Sequence, residues 1–190
     1  MPKSIAVLDL EWTTWEGAMQ RRWRGPGEKL EIVQVGMVKL SDTAALEEVD
    51  HLEFFVRPTH NPKLSDYFIE LTGIEQATVD QHGVAFPTAL VRIQQFLDST
   101  IDAAYCFGDD GFVIRRNCEY NDLDFPFGPD FFNSVIPSIC VFLDRPQGDI
   151  MSSLLPEIMG FESPGNAHTA LADARCIAEA LRIMRRAGAF

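Results

Sequence analysis

The chain is short of positive charge: 16 Lys and Arg stand against 28 Asp and Glu, a formal net charge of −12. That balance argues against an electrostatic grip on a long stretch of nucleic acid, which needs cations matched to many phosphates. It fits either an acidic surface that keeps the protein soluble or a site that holds a few nucleotides on carboxylates neutralised by bound cations, which a formal count omits. Cysteine is also sparse. Cys106, Cys118, Cys140 and Cys176 contain no C-x-x-C spacing, so neither a zinc site nor a dithiol redox motif is expected. In apolar runs such residues behave as small core side chains, and a reducing compartment is the simplest setting. There is no run of about 18 apolar residues, so no membrane span is expected. The opening MPKSIAVLDLEW carries acids too early for a signal-peptide core. Together these absences point to a cytoplasmic protein. Repeats and low-complexity segments are absent as well, and 190 residues suit one domain, residues 1–190, large enough to fold without disulfides or a structural metal.

Periodicity supplies the elements. Ser4–Leu10 reads as a buried strand, Ile32–Leu40 as a second and Leu52–Val56 as a third, stopped by Pro58. The intervening Trp15–Lys29, with Arg21, Arg22, Arg24 and three Gly/Pro residues at 25–27, reads as a mobile surface loop. Short helices are expected over Leu64–Leu71 and Ile74–Val79, and an amphipathic one over Pro87–Leu97. A fourth strand is expected at Asp102–Phe107, then a helix from Asp109 to Asn121, a loop at Asp122–Pro129 and a fifth strand over Val135–Phe142 despite Pro137. A final helix over Ala167–Arg186 stops before Gly188. The order β-β-β-α-β-α-β-α describes an α/β fold with a mixed sheet and helices on its faces. A ribonuclease-H-like arrangement is one such fold among several.

Three acidic groupings carry the chemistry. Asp9 and Glu11 form D-x-E at the end of the first strand, where alternation points both carboxylates to one side. On a buried strand they repel each other and are poorly solvated, which a metal ion would relieve; beyond the strand end they would simply be hydrated. His168 and Asp173 form H-x-x-x-x-D at the start of the last helix. Five helical positions turn about 500°, so the two share a face only if His168 lies in the loop or the first turn. Leu171, Ala174, Ile177, Ala178 and Leu181 form the apolar stripe that Asp173 borders, and a carboxylate there needs a partner. Asp109 and Asp110 follow the fourth strand, at a strand end of the kind that lines sites in α/β sheets; one of them also suits a helix N-cap.

Taken in order, D-L-E-W-T at Asp9–Thr13, E-I-V-Q-V-G at Glu31–Gly36, I-E-L-T-G-I at Ile69–Ile74, an Asp after the fourth strand and H-T-A-L-A-D-A at His168–Ala174 resemble the DEDDh family of 3′–5′ exonucleases. The likeness spans nearly the whole chain and is strongest to the branch that acts on histone mRNA and small interfering RNA. It implies a ribonuclease-H-like fold, a mixed five-stranded sheet with helices on both faces, and two divalent cations, Mg²⁺ or Mn²⁺. It further implies removal of nucleoside 5′-monophosphates from the 3′ end of single-stranded RNA or DNA, RNA favoured. Carried over by position, Asp9, Glu11 and Asp173 are metal ligands, Asp110 is the remaining family aspartate, and His168 is the general base, a role suited to a side chain whose ordinary pKa lies near working pH. Leu10, Trp12 and Thr13 fall where the substrate's end would lie. Trp12 can stack on a base or belong to the core, and Arg21, Arg22 and Arg24 can hold upstream phosphates or be merely solvated. The segment Phe107-Gly108-Asp109-Asp110 is one residue shorter than the family's usual W-G-x-x-D, so the choice between the two aspartates stays open. A non-catalytic nucleic-acid-binding module with the same fold is the alternative, and such a module normally lacks one or more of the ligands that are all present here.

Overall fold

The computed structural model describes residues 3–166 and 168–190. Five strands form one sheet in the order β3-β2-β1-β4-β5: β1 (Ser4–Trp12), β2 (Ile32–Ser41), β3 (Glu48–Phe55), β4 (Ile101–Cys106) and β5 (Phe132–Ser134). The first three make an antiparallel meander, whose short connections permit it. β4 then pairs in parallel with β1, and β5 in parallel with β4. The central strand is therefore the one that carries D-x-E.

Among the described residues there are also seven α-helices: α1 (Asp66–Thr72), α2 (Gln76–His82), α3 (Phe86–Phe96), α4 (Asp110–Tyr120), α5 (Ile136–Leu143), α6 (Leu155–Met159) and α7 (Ala170–Arg186). Alternation along β1 divides the core into two layers. Ala6, Leu8 and Leu10 pack with α3 and α4 on one face, through Phe86, Leu90, Ile93, Val113 and Ile114. Ile5 and Val7 pack on the other, with Ile139 of α5 and Ile177 and Leu181 of α7. Helices thus cover both faces, as the resemblance implies. The stripe Leu171, Ala174, Ile177, Ala178 and Leu181 is buried throughout. Among the described residues no helix is long and apolar enough to cross a membrane.

Local signals explain the boundaries. The Ser65 hydroxyl accepts from the Phe68 N–H at the start of α1 (3.0 Å), and Gly73 ends that helix with φ +70°, a conformation only glycine adopts without strain. Two expectations change. The run Val135–Phe142 is not the fifth strand: it becomes α5, and β5 lies just before it at Phe132–Ser134. A short apolar run does not by itself separate strand from helix, and Pro137 falls in the first turn of α5, where its missing N–H has no intrahelical partner to lose. The last helix begins at Ala170; its expected start, Ala167, lies outside the described residues.

Trp15–Lys29 is a sequence of turns pinned to the body rather than a free loop. The Arg21 Nε donates to both Glu28 carboxylate oxygens (2.9 and 3.0 Å), and its Nη1 donates to the Glu16 carbonyl. Trp23 donates through Nε1 to the Thr13 carbonyl (3.1 Å) and meets Trp12 edge to face. Arg21 is therefore occupied within the protein, while Arg22 and Arg24 stay exposed.

Candidate active site

Three elements deliver the acids to one end of the sheet. Asp9 and Glu11 stand on β1 opposite Gly36 and Gln34 of β2. Directly paired residues share a face, so all four lie on the side covered by α7. Asp110 is the first residue of α4, which follows the carboxyl end of β4. Asp173 lies in the first turn of α7. Asp9, Asp110 and Asp173 are buried, and Glu11 and His168 are partly so.

The start of α7 comes very close to β2. A Cβ on Gly36 would sit 2.1 Å from the Ala170 carbonyl carbon and the Leu171 nitrogen, so only glycine admits the helix there. His168 precedes the helix with φ +61°, a left-handed conformation unusual for a residue with a Cβ. Its N–H donates to Asp173 Oδ2 (3.0 Å), closing the five-residue interval. One ring nitrogen of His168 and one carboxylate oxygen each of Glu11 and Asp173 all lie within 4.8 Å of one another. Of the two placements that helical geometry allows His168, loop or first turn, the structure has the loop, with Asp173 in the helix.

Burial and mutual repulsion dominate the electrostatics. Burial, then the charges of Asp110, Glu11 and Asp173, holds the Asp9 carboxyl well above its ordinary range. Burial and the charges of Asp173 and Asp110 push Glu11 up to about 9. Asp110 is pushed up to about 7 by burial, against the lowering influence of the nearby Cys106 thiol and of backbone N–H groups. Asp173 is raised by burial against the opposing effects of His168. Asp110 Oδ1 is buried without a hydrogen-bond partner. An orphaned buried oxygen beside mutually repelling carboxylates fits a hard divalent cation with oxygen ligands. Asp9, Glu11 and Asp173 would hold such ions, with Asp110 completing the set.

The adjacent Asp109 is exposed and makes no side-chain cap bond at the start of α4. Of the two aspartates the fold brings Asp110 to the cluster. The expected substrate contacts are placed differently. Leu10 points its side chain into the core, and Thr13 is buried with its hydroxyl donating to the Lys29 carbonyl and accepting from the Glu31 N–H. Both side chains are thus used internally, because residue 10 alternates to the α3/α4 face and Thr13 ties the loop back to β2. Trp12 is partly buried, packed on the core and against Trp23, so core and edge roles coincide. Gln34 was not singled out for any role by its sequence; its buried side chain accepts from the Ala170 N–H (3.0 Å). A glutamine in a strand carries no local sign of a partner 136 residues away.

A central D-x-E strand in a mixed 3-2-1-4-5 sheet, facing an aspartate at one helix start and a His–Asp pair at another, is the arrangement of ribonuclease-H-like exonucleases. Residues 6–181 match the exonuclease family RNase_T, and the chain belongs to that family. It is 29% identical over 191 residues to 3′-5′ exoribonuclease 1 of Rattus norvegicus, covering 95% of this chain and 53% of that protein. It is 27% identical over 172 residues to the probable 3′-5′ exonuclease KapD of Bacillus subtilis, covering 90% of this chain and 79% of that one. The chain spans about half the length of the mammalian relatives it matches. The nuclease domain of 3′hExo, a DEDDh family member crystallised with rAMP, superposes with a TM-score of 0.83 at 26% identity, covering 98% of this chain and 93% of that one. Escherichia coli exonuclease I bound to a dA16 oligonucleotide shares the fold, with a TM-score of 0.74 at 16% identity over 96% of this chain and 40% of that one.

Proposed function

We propose that this chain is a divalent-cation-dependent 3′–5′ exonuclease that removes nucleoside 5′-monophosphates from the 3′ end of single-stranded nucleic acid, with RNA preferred to DNA. The observation that carries the reading is the clustering of Glu11, Asp173 and His168 at one end of β1, with Asp9 and Asp110 close enough to repel the same acids and Asp110 Oδ1 buried and unpartnered. When bound, Mg²⁺ or Mn²⁺ at a pair of sites would relieve charge on the phosphoryl group and favour the attacking water and the leaving 3′-oxygen. The residues of the chain do the rest. Asp9, Glu11 and Asp173 offer acidic oxygens from two elements, β1 and α7, and their mutual repulsion means the site should be looser empty than filled. His168 would accept the proton of the attacking water at a ring nitrogen. Its backbone bond to Asp173 keeps that ring beside the acids. The preference for RNA rests on relatives named exoribonucleases and on the rAMP-bound neighbour. A module that only bound nucleic acid would gain nothing from three buried acids and a fourth partly buried beside them that resist ionising together. Four free cysteines suit a reducing compartment, and we place the protein in the cytoplasm.

The test is an assay of the purified chain with Mg²⁺ or Mn²⁺ on 5′- and 3′-labelled single-stranded RNA and DNA. A 5′ label should give a descending ladder and a 3′ label immediate release of mononucleotide, with RNA the faster substrate. A 3′-phosphate should suppress cutting and a 5′ block should not. Efficient cleavage of circular single strands would show an endonuclease instead.

A further inference from the structure

Gln34 hydrogen-bonds to none of the acids of the site, yet its side chain is 3% exposed and both ends of its amide are used. Oε1 accepts from the N–H of Ala170, the first residue of α7 (3.0 Å). Nε2 donates to Glu53 Oε1 on β3 (3.1 Å). Glu11 pairs with Gln34, Asp9 with Gly36, and Gly36 with Glu53, so these side chains share one face of the sheet with a gap over the glycine. The start of α7 lies in that gap. Thr169, the residue that should cap the helix, makes no side-chain cap bond. Gln34 takes that task across the fold, satisfying one of the orphan donors that every helix start exposes.

We infer that Gln34 is a positioning residue for the hydrolytic site: its amide fixes the start of α7 to β2 and thereby sets Asp173 and His168 at their distance from Asp9 and Glu11. The inference rests on the hydrolytic reading of the carboxylate cluster. Ala170 lies between His168 and Asp173, which are themselves bonded. Anchoring Ala170 therefore places both, while Asp9 and Glu11 move with β1, to which β2 is paired. An amide suits this position because it accepts at one end and donates at the other. A glutamate at 34 would accept from Ala170 but turn a second carboxylate toward Glu53. A leucine would leave the Ala170 N–H without its partner.

The test compares the full chain with Gln34→Leu, Gln34→Glu and the double variant Gln34→Glu/Glu53→Gln, which reverses donor and acceptor. The substrate is the p-nitrophenyl ester of thymidine 5′-monophosphate, which removes any contribution from upstream nucleotides. Alongside it run calorimetric titration with Mn²⁺ and amide exchange of Ala170 by NMR without metal. Gln34→Leu should lower kcat by about 10- to 100-fold with KM little changed, the scale of a small misplacement of reacting groups. It should weaken Mn²⁺ binding by about 10- to 100-fold, the usual effect of losing a residue that orients ligands, and Ala170 should lose protection. Gln34→Glu should be impaired and the double variant should recover kcat and Mn²⁺ affinity. A folded Gln34→Leu protein with parental kcat and Mn²⁺ affinity overturns the inference even if it melts earlier. If Gln34→Leu does not fold, failure of the double variant to improve on Gln34→Glu overturns it. An inactive parent would remove the hydrolytic reading alone, and the positioning claim would then stand or fall on Mn²⁺ affinity and Ala170 protection.

Discussion

Asp109 and Asp110 differ by one position and by nearly everything that matters to a carboxylate. Asp109 is exposed, whereas Asp110 is buried with one oxygen unpartnered. Asp110→Asn should therefore lower hydrolysis by more than about 10²-fold, the scale on which a group stabilising reacting charge acts. Asp109→Asn should stay close to the parent. Turnover assays at saturating Mn²⁺ decide this, and the opposite ranking would move the functional role to Asp109. For His168 the expected loss in His168→Ala is about 10²- to 10⁴-fold in kcat, as for other general bases. Its ring nitrogen lies within 4.8 Å of acidic oxygens of Glu11 and Asp173, so ligand and base roles must be separated. A variant whose only defect is lost Mn²⁺ affinity in calorimetry would be a ligand loss. Side-chain chemistry marked Asp9, Glu11, His168 and Asp173 as candidates, because a carboxylate on a buried strand or beside an apolar stripe demands a partner, and the ordered resemblance to the exonuclease family joined them into one site. The family resemblance favours Asp110 over Asp109 without closing the choice, since one residue of helical turn separates solvent from core.

At the level of elements, the junction of α7 with β2 is the tightest point near the site. Gly36→Ala should place a methyl group against the Ala170–Leu171 backbone, where neither strand nor helix can yield cheaply. The expected cost is about 1–3 kcal/mol or more, the range for overpacking, read as a lower urea midpoint with an unchanged slope. A parental midpoint would show that α7 is free to shift. The two misjudged elements share one cause. Val135–Phe142 has the apolarity of a strand and the length of a short helix, and packing decides between them: Ile139 is buried in the layer beneath α7. Likewise the Arg21–Arg24 segment has the composition of a loose loop, but Glu28, Trp12 and Thr13 hold it. Turn-rich composition reports the backbone's freedom, not the partners it finds.

Across the whole molecule the acidic cluster ties stability to pH and to metal. Asp9, Glu11 and Asp110 all have folded-state pKa values above the ordinary carboxylate range, Glu11 near 9 and Asp110 near 7. The folded state therefore holds more protons than the unfolded one between about pH 4, the ordinary carboxylate range, and those raised values. Stability from this source is complete below the unfolded pKa and is lost as pH rises through the folded ones. Acids whose pKa is lowered, Asp98 to about 2 along with Glu28 and Glu48, act in the opposite sense at the acid end, but they are exposed or partly so and weigh little. In EDTA the melting temperature should fall from about pH 5 to about pH 9, the window those raised values define. Saturating Mg²⁺ or Mn²⁺ should flatten the decline, because an ion that binds only the folded form stabilises it. A melting temperature in EDTA that is constant or rising over that window would show the cluster is better solvated than its burial implies.

What the sequence by itself determined is most of the elements, which follow from periodicity, and the candidate acids and histidine in their order, which stand out together through the resemblance to the exonuclease family. Tertiary structure alone decided which aspartate reaches the cluster and that Leu10 and Thr13 face inward. It also decided that a glutamine on β2 caps a helix 136 residues away. The reason is that burial and long-range hydrogen bonds belong to pairs of surfaces. Neither surface carries a mark of the other until the sheet and α7 have closed over Gly36.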